Sequence, residues 1–331
     1  MLEVKYTVDH AEGIMTQISQ QIDSTINNQL LTSKSESLDA RIVAMRLHPS
    51  LSCMVSEFES KQHVRVRRLT GAADHLIILD FHVSKKVNLS LATNKGPDSL
   101  IFGAYFASTN VGSYADFADE NVNKQVAFII DKQWVADTFG NLEALNQFIQ
   151  TQQDFFVYKS IDLELANEIH HLHQFALDNS KSGVSENYVF GQALKVLALF
   201  FPTFSEEPKT LEYAANAQDV ERLMACRDYI HQHFMRPIKL DELARMSTMS
   251  ESKFRKKFKA VFGKSPYDYI KHLRLWYAKE QLEKGESASQ AAYAIGYTNL
   301  SHFTRSFKSL FGLTPSEHKK YHAEHRDLEN R

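Results

Sequence analysis

The chain has 331 residues, 43% of them hydrophobic and 24% charged, which is typical of a soluble globular protein long enough for two separate cores. No apolar run of about 18 residues occurs, so a membrane-spanning helix is not expected, and the N-terminus lacks the pattern of a secretory signal. The two cysteines lie far apart in sequence, which argues against a structural disulfide and predicts a cytoplasmic protein.

The net charge of −2 conceals an uneven distribution of charge along the chain. From Gln218 onward, 21 Lys and Arg residues accompany 14 Asp and Glu, whereas the preceding residues carry a net charge of −9. A basic C-terminal third attached to an acidic remainder indicates that only the C-terminal part meets a polyanion. Charge alone leaves open the alternative that these basic residues form an ordinary solvated surface.

Short apolar or alternating segments fill residues 38 to 135, after a polar N-terminal stretch in which Ile14, Ile18 and Ile22 favour a short helix. Seven segments have the composition of strands, namely 40–47, 52–58, 64–69, 75–83, 87–91, 100–106 and 124–130. No long helix separates them, so an antiparallel sheet, sandwich or barrel is predicted. The mouth of a barrel or the cleft of a sheet is a common small-molecule site.

Helical periodicity replaces this pattern from residue 131 onward. Helices are predicted at 131–137, at 142–150 and twice within 160–204, where Pro202 ends the last one. The predicted domains are a β-rich regulatory domain at 1–204, a linker at 205–217 and a helical domain at 218–331. The predicted fold class is therefore α+β.

One pattern, F-x-x-x-F-K-x-x-F-G-x-[ST]-P, occurs twice in the C-terminal third, at 254–266 and at 303–315. The two copies lie 49 residues apart, and such agreement indicates an internal duplication. In each copy, phenylalanines at i, i+4 and i+8 form the inward stripe of a helix, which Gly263 or Gly312 then ends. The [ST]-P pair after each glycine supplies an N-cap and a proline at the first position of the next helix.

A shorter helix and a tight turn precede each of these repeated helices. The short helices are predicted at 241–245 and 291–295, with Ser250 as N-cap after the first turn and Gly296 within the second. A short helix, a turn and a second helix form a helix-turn-helix unit, in which the second helix enters the major groove of DNA.

A helix from Pro266 to Lys284 is predicted to join the two units. At about 1.5 Å per residue it would span roughly 30 Å. One DNA turn measures roughly 34 Å, so both recognition helices could occupy successive major grooves on one face of the duplex. Because both units begin after residue 215, a fragment that lacks the preceding residues is predicted to fold and to bind DNA.

These features resemble the AraC/XylS family of bacterial transcription regulators over about the last third of the chain. The matching residues are L-A-x-x-x-x-x-S-x-x-x-F-x-x-x-F-K at 243–259 and A-x-A-I-G-Y-x-x-x-S-H-F-x-R-x-F-K at 292–308, each followed by G-x-[ST]-P. Ala288 and Ala291 depart from the branched aliphatic residues usual in the family. Their small size would loosen the packing of the second unit and leave its surface intact.

The resemblance implies a sequence-specific regulator of transcription, more often an activator than a repressor, with double-stranded DNA and RNA polymerase as partners. It also implies a cupin-like N-terminal domain that binds a small-molecule effector, and no cofactor. In the family, helices such as those at 160–204 form a homodimer interface. The alternative, that these helices cover the sheet, stays open.

The residues predicted to bind DNA share the outer faces of the two repeated helices. They are Glu251, Ser252, Arg255, Lys256, Lys257, Lys259, Asn299, Ser301, His302, Thr304, Arg305 and Lys308. Arg and Lys can donate hydrogen bonds to guanine O6 and N7, whereas lysines at the flanks more often bind phosphates. A single basic helix is more often an ordinary solvated face, but two matched helices favour DNA contact.

Two further clusters carry weaker hypotheses. In the strand segment Arg65–Arg68, Arg65 and Arg67 alternate and could bind an anionic effector, although charges on an edge strand also prevent aggregation. The run H-H-x-H at 170–173 could suggest a metal, but no fourth ligand or thiol follows it. No metal site is therefore predicted.

The alternative function is an enzyme with a β-barrel active site and a DNA-binding appendage. It requires a nucleophilic cysteine with basic neighbours, and Cys53 lies instead in the apolar segment L-S-C-M-V. A helical protein-interaction module is a second alternative, which an absence of salt-dependent DNA binding would favour.

Overall fold

The computed structural model describes residues 2–71, 73–84, 101–117, 122–179, 186–206 and 214–320. Within these ranges the fold is α+β, as predicted, with a mostly antiparallel N-terminal β region and a C-terminal helical region. The predicted strand at 87–91 and most of the predicted linker lie outside the described residues. We refer to 2–206 as the N-terminal region and to 214–320 as the C-terminal region.

Two β-sheets make up the N-terminal region. Their strands are β1 (Leu2–Tyr6), β2 (Thr25–Asn27), β3 (Leu30–Lys34), β4 (Leu38–His48), β5 (Leu51–Ser60), β6 (Val64–Arg68), β7 (Leu76–Ser84), β8 (Ile101–Ser108), β9 (Ser113–Phe117), β10 (Val122–Asp131) and β11 (Phe156–Ser160). The larger sheet has the order β11-β8-β7-β10-β5-β4-β3-β2 and antiparallel pairing. The smaller has the order β1-β6-β9, in which β1 runs parallel to β6.

Six of the predicted strands are confirmed as β4 to β8 and β10. The sequence did not predict β1, β2, β3, β9 and β11, which have three to five residues each. Such short strands are held by distant partners, as where Leu2 of β1 lies opposite Val64 of β6. Their own composition is therefore a weak signal.

The helices occupy both regions. They are α1 (Ala11–Ser19), α2 (Lys132–Thr138), α3 (Glu143–Thr151), α4 (Leu163–Asp178), α5 (Glu186–Phe200), α6 (Thr203–Glu206), α7 (Ala217–His233), α8 (Leu240–Met246), α9 (Glu251–Phe262), α10 (Pro266–Glu283), α11 (Ala288–Ala294) and α12 (Leu300–Phe311). None of the helices in the described ranges is long and apolar enough to cross a membrane.

The larger sheet is buried on both faces, because successive side chains of a strand point to opposite sides. On β5, Cys53 and Val55 pack in the core formed with α2 to α6, whereas Met54 and Phe58 face the smaller sheet. The packing of α4 and α5 thus confirms the interpretation that these helices cover the sheet. A dimer contact through their outer surfaces stays a prediction.

The helix ends of the C-terminal region follow the predicted capping pattern. The side chains of Ser250, Ser265 and Asn299 each accept a hydrogen bond from a backbone N–H in the first turn of the helix that follows. The glycines that end α9 and α12 are left-handed, with φ of 71° at Gly263 and 78° at Gly312. Both repeated helices therefore begin and end where their sequence pattern indicates.

Candidate nucleic-acid interface

The first helix-turn-helix unit consists of α8 and α9. Phe254, Phe258 and Phe262 are buried on the inner face of α9, where Phe258 also meets Tyr269 of α10 edge to face at 5.3 Å between ring centroids. This packing leaves the outer face of α9 to charged and polar side chains. Its exposed residues among those predicted to bind DNA are Glu251, Ser252, Arg255, Lys256 and Lys259.

The Arg255 side chain remains available on this face. Its Nη2 lies 3.7 Å from Glu251 Oε2, but both side chains are more than half exposed. An exposed pair of this kind contributes at most about 1 kcal/mol. A guanine edge or a phosphate could therefore replace Glu251 as the partner of Arg255 at little cost.

Lys257 differs from the other predicted residues of α9. Its side chain is only 17% exposed, and its Nζ lies 3.4 Å from Asp219 Oδ2 of α7. The same ammonium donates a hydrogen bond to the carbonyl oxygen of Ala214. In this conformation Lys257 holds α9 against the start of α7, so a phosphate contact would require these bonds to open.

The second unit, α11 and α12, presents a similar outer face. Asn299, Ser301, His302, Arg305 and Lys308 are exposed and Thr304 is half-buried. Asn299 Oδ1 accepts a hydrogen bond from the His302 backbone N–H at 3.0 Å, which leaves the Asn299 amide group as its outward donor. The His302 ring stacks on Tyr297 with 5.5 Å between centroids, which restrains it beside the start of the recognition helix.

Helix α10 fixes the two units relative to each other. Its 18 residues correspond to roughly 27 Å at about 1.5 Å per residue. Arg274 of α10 donates to the carbonyl oxygens of Phe234 at 2.6 Å and Arg236 at 2.8 Å, which ties the middle of α10 to the end of α7. The spacing of α9 and α12 is thus set by a rigid, anchored element.

Two residues beside the second recognition helix were missed by sequence reasoning. Tyr267 and Lys271 of α10 line a groove together with Thr298 and His302, and the Tyr267 side chain is largely exposed. The sequence signal for them is their spacing: they are four positions apart, so they lie one turn apart on the same face of α10. Lys271 therefore adds a basic side chain to this groove beside α12.

The first unit is also joined to the N-terminal region. Phe156 of β11 and Ala215 exchange two backbone hydrogen bonds, at 2.8 and 3.1 Å. Tyr114 of β9 donates a hydrogen bond to the Asp228 carboxylate of α7, and the Arg227 guanidinium lies 4.7 Å from the centre of the Tyr114 ring. One buried apolar cluster accordingly includes residues of both sheets together with α7, α8 and α9.

Gly263 marks the closest approach of α9 to the sheet. A Cβ atom at Gly263 would lie 2.2 Å from Tyr158 Cε1, and a Cβ at Gly103 would lie 2.3 Å from Tyr158 Cε2 on the other side of the ring. The buried Tyr158 ring is therefore wedged between two glycines, one in each region. Neither position can accept a side chain unless this ring moves.

We expect Gly263→Ala to destabilise the protein more than Gly296→Ala does. Both glycines are left-handed, with φ of 71° and 83°, but a Cβ at Gly296 meets nothing within 4 Å. Backbone strain should cost each variant about 1 kcal/mol, and overpacking against Tyr158 should add roughly 1–3 kcal/mol for Gly263→Ala alone. Urea unfolding of the full chain measures both losses, and equal losses would contradict the contact.

A cavity lies between the two sheets. Its volume is about 110 Å³, below the roughly 300–1,000 Å³ of sites for drug-sized ligands, so it suits a small ligand. Most of its wall is apolar, and Met224 of α7, in the C-terminal region, forms part of that wall. We call this space the inter-sheet cavity.

The predicted effector residues lie beside this cavity and do not line it. Val64, Val66 and Arg68 of β6 face the cavity, whereas Arg65 and Arg67 alternate with them and point away. The guanidinium carbons of Arg65 and Arg67 instead lie 4.4 and 5.2 Å from the centre of the Tyr114 ring. The geometry favours Arg68 over both as a residue that meets a small molecule.

The other residues considered from the sequence, the histidines near His173 and the thiol of Cys53, do not form a metal or catalytic site within the described part of the chain. His173 is buried with Nε2 3.1 Å from the Ser56 carbonyl oxygen, and burial lowers the pKa of His173 to about 4. Among the residues that the structure describes, no group of three His, Cys, Asp or Glu side chains could hold a metal ion. Burial raises the pKa of the Cys53 thiol, which is the opposite of what a nucleophilic cysteine needs.

Comparison with known proteins agrees with the geometry of the C-terminal region. A family model described as a helix-turn-helix domain matches residues 243–321, which include α8 to α12. The probable transcriptional regulator LumQ from Photobacterium leiognathi is 32% identical over 103 residues, 30% of this chain and 42% of LumQ. The uncharacterized HTH-type transcriptional regulator YobQ from Bacillus subtilis is 38% identical over 88 residues, 26% of this chain and 36% of YobQ.

A solved structure shows the same similarity. The crystal structure of a probable AraC family transcriptional regulator from Rhodopseudomonas palustris is 30% identical, with 31% of this chain and 97% of that chain covered and a TM-score of 0.29. The chain spans less than half the length of the two curated relatives, at 42% and 36%.

Proposed function

Because the chain belongs to the AraC/XylS family, we propose that it is a sequence-specific, DNA-binding regulator of transcription controlled by a small-molecule effector. The observation that carries the proposal is the pair of exposed polar helix faces on α9 and α12, joined by the anchored helix α10. Each face lies opposite a buried phenylalanine stripe, and most of its polar residues are exposed to solvent. A pair of helices at this spacing suits successive major grooves of double-stranded DNA.

The arginines and the lysines of the two faces suit different parts of DNA. Arg255 and Arg305 are planar donors suited to the O6 and N7 atoms of guanine. Lys256, Lys259 and Lys308 lie on the same helices and supply charge to phosphates, which positions the protein on the duplex. Release of counterions from the DNA then makes affinity fall with salt.

Effector control would act through the contacts that join the first unit to the N-terminal region. Phe156, Tyr158 and Tyr114 of the sheets touch the segment 214–263, and Met224 of that segment lines the inter-sheet cavity. A molecule in the cavity can favour one arrangement of α7 and α9 over another. Such a difference in affinity between two arrangements is what couples effector binding to DNA binding.

We further propose that the protein is a cytoplasmic homodimer that activates transcription through RNA polymerase. Support for a dimer comes from α5, whose inner face covers the sheet while its outer face carries Tyr188, a side chain that is 46% exposed. A second copy bound through this surface would link two DNA-binding regions and raise affinity through avidity. The activator role and RNA polymerase as partner rest on the resemblance of the C-terminal region to the family.

Replacing Arg305 with alanine tests the DNA-binding proposal. With a site selected from random DNA, the full chain should lose about 1–3 kcal/mol of specific affinity, since a bidentate contact to one base is removed. Discrimination should relax at one position of the site, while affinity for random DNA changes little. Fluorescence anisotropy titrations on both DNAs measure the two effects.

Lys259→Ala is the matched control on the other recognition helix. An exposed lysine that binds phosphate should weaken selected and random DNA alike and reduce the slope of log affinity against log salt by about 0.9. Equal losses on both DNAs for Arg305→Ala would remove Arg305 from the residues that read bases. No DNA binding by the unaltered protein at low salt would contradict the proposed function itself.

A further inference from the structure

The inter-sheet cavity contains a buried guanidinium, that of Arg68, with two nitrogens left unpaired by the described residues. The Arg68 residue is 6% exposed, and its side chain lines the cavity at the end of β6. Neither Nε nor Nη2 of Arg68 has a hydrogen-bond partner among the described residues. A buried, unpaired charge is costly to a fold, so its retention calls for a partner from outside the chain.

The two free nitrogens define which partner fits. Nε and Nη2 form one edge of the planar guanidinium and point two parallel N–H groups at the same side, which is the geometry that binds a carboxylate through both oxygens. The Phe156 ring, 5.9 Å from the guanidinium carbon, covers one face of Arg68 and leaves that edge open. Burial lowers the pKa of Arg68, whereas the nearby Tyr6 and Asp80 act in the opposite direction. The guanidinium nevertheless remains protonated, as arginine does in proteins.

Asp80 is the acidic group that faces the same space. Its Oδ2 lies 3.3 Å from His82 Nε2, and His82 Nδ1 lies 3.0 Å from Gln125 Nε2. Asp80 Oδ2 thus has a polar neighbour on its own strand, whereas Asp80 Oδ1 and the free edge of Arg68 have no hydrogen-bond partner among the described residues. Arg68 differs from Asp80 in offering two parallel unpaired N–H donors, which is the arrangement that a carboxylate can use with both oxygens.

The rest of the cavity wall indicates the chemistry of the remainder of the ligand. Ile42, Phe58, Phe117 and Met224 are among the side chains that line it, and the apolar surface of the wall far exceeds the polar surface. Hydrocarbon buried here would gain about 0.8 kcal/mol per CH₂ group. Arg68 is the one Arg or Lys among the described residues of this wall, so a doubly charged phosphate or sulfate would find a single permanent cation.

We propose that the inter-sheet cavity binds an apolar carboxylic acid, with its carboxylate paired to the Nε–Nη2 edge of Arg68 and its hydrocarbon body between the two sheets. The proposal rests on the proposed function, since it gives the chemical class of the effector. Met224 of α7 contacts the same space, so the bound acid touches the region that carries the DNA-binding helices.

The test compares three probes of equal length on the full chain by calorimetry: octanoate, octanol and octylamine. We expect octanoate to bind at least about tenfold more tightly than the other two, since a charge-assisted hydrogen bond contributes about 1.5–3 kcal/mol. Arg68→Gln should abolish this preference by weakening octanoate alone. Octanol or octylamine bound as tightly as octanoate, or octanoate unaffected by Arg68→Gln, would overturn the proposal.

Two controls separate a ligand role from a structural one. Asp80→Asn removes the neighbouring charge and should leave the preference for octanoate intact. Loss of the preference in this variant would assign the site to Asp80. Arg68→Gln without ligand should melt no lower than the unaltered protein, because it replaces an unpaired buried charge with a neutral group. A clearly lower melting temperature would assign Arg68 a structural role and overturn the proposal.

DNA binding is measured separately, by anisotropy with and without octanoate. Binding of DNA by a protein that takes up no octanoate would reject the carboxylic acid and leave the DNA-binding function standing. Uptake of octanoate through Arg68 by a protein that binds no DNA would support the cavity proposal and reject the proposed function.

Discussion

Inserting five base pairs between the two blocks of bases read by α9 and α12 is expected to reduce specific binding nearly to the non-specific level. Half a turn of extra DNA rotates the second block to the opposite face of the duplex, and α10 is a continuous helix of 18 residues that cannot follow it. Specific sites commonly exceed random DNA in affinity by about a thousandfold or more. We expect a loss of that order in anisotropy titrations on a selected site.

A ten-base-pair insertion is the informative control for this experiment. It restores the rotational phase but moves the second block about 34 Å further along the duplex, and α10 cannot lengthen. Both insertions should therefore fail, whereas changing the sequence of the spacer at constant length should have a small effect. Unchanged affinity after the half-turn insertion would mean that a single recognition helix reads DNA.

The C-terminal region was predictable because its signals are local. The phenylalanine stripe, the N-caps at Ser250 and Asn299 and the left-handed glycines Gly263 and Gly312 each determine structure within a few residues. Their repetition at a fixed spacing added the architecture of two units. The exposure of most polar residues on the outer faces of α9 and α12 followed directly from that pattern.

The cavity and the inter-region contacts were not predictable in the same way. Arg65, Arg67 and Arg68 are adjacent in sequence, and only the packing of the small sheet on the large one decides that Arg68 faces inward. Lys257 has the same sequence environment as Lys256, yet contacts to Asp219 and Ala214 bury it. Both outcomes depend on partners tens of residues away in the chain.

The shared core also changes the expectation for a fragment that begins after residue 215. Such a fragment would retain both units but lose the surface of β11, so Gly263 would be exposed to solvent where Tyr158 now lies. The first unit is the one affected, because the second packs in a separate cluster around Leu275 and Phe307. We expect the isolated fragment to be less stable in its first unit than in its second.

The equivalent substitutions Phe258→Ala and Phe307→Ala test this asymmetry within the full chain. Both phenylalanines are fully buried and occupy the same position of the repeat, so each substitution should cost about 3–5 kcal/mol. The loss at Phe258 should reach α7 and β11, because these elements share its core, whereas the loss at Phe307 should stay within 275–318.

Hydrogen exchange measured by mass spectrometry distinguishes the two outcomes. Phe258→Ala should accelerate exchange in β11 and α7 by about a hundredfold or more wherever opening of the shared core limits exchange. Phe307→Ala should leave the same peptides at the rate of the unaltered protein. If both substitutions changed exchange only within their own helix-turn-helix unit, the two regions would be independent, and an effector in the N-terminal region would lack this route to α9.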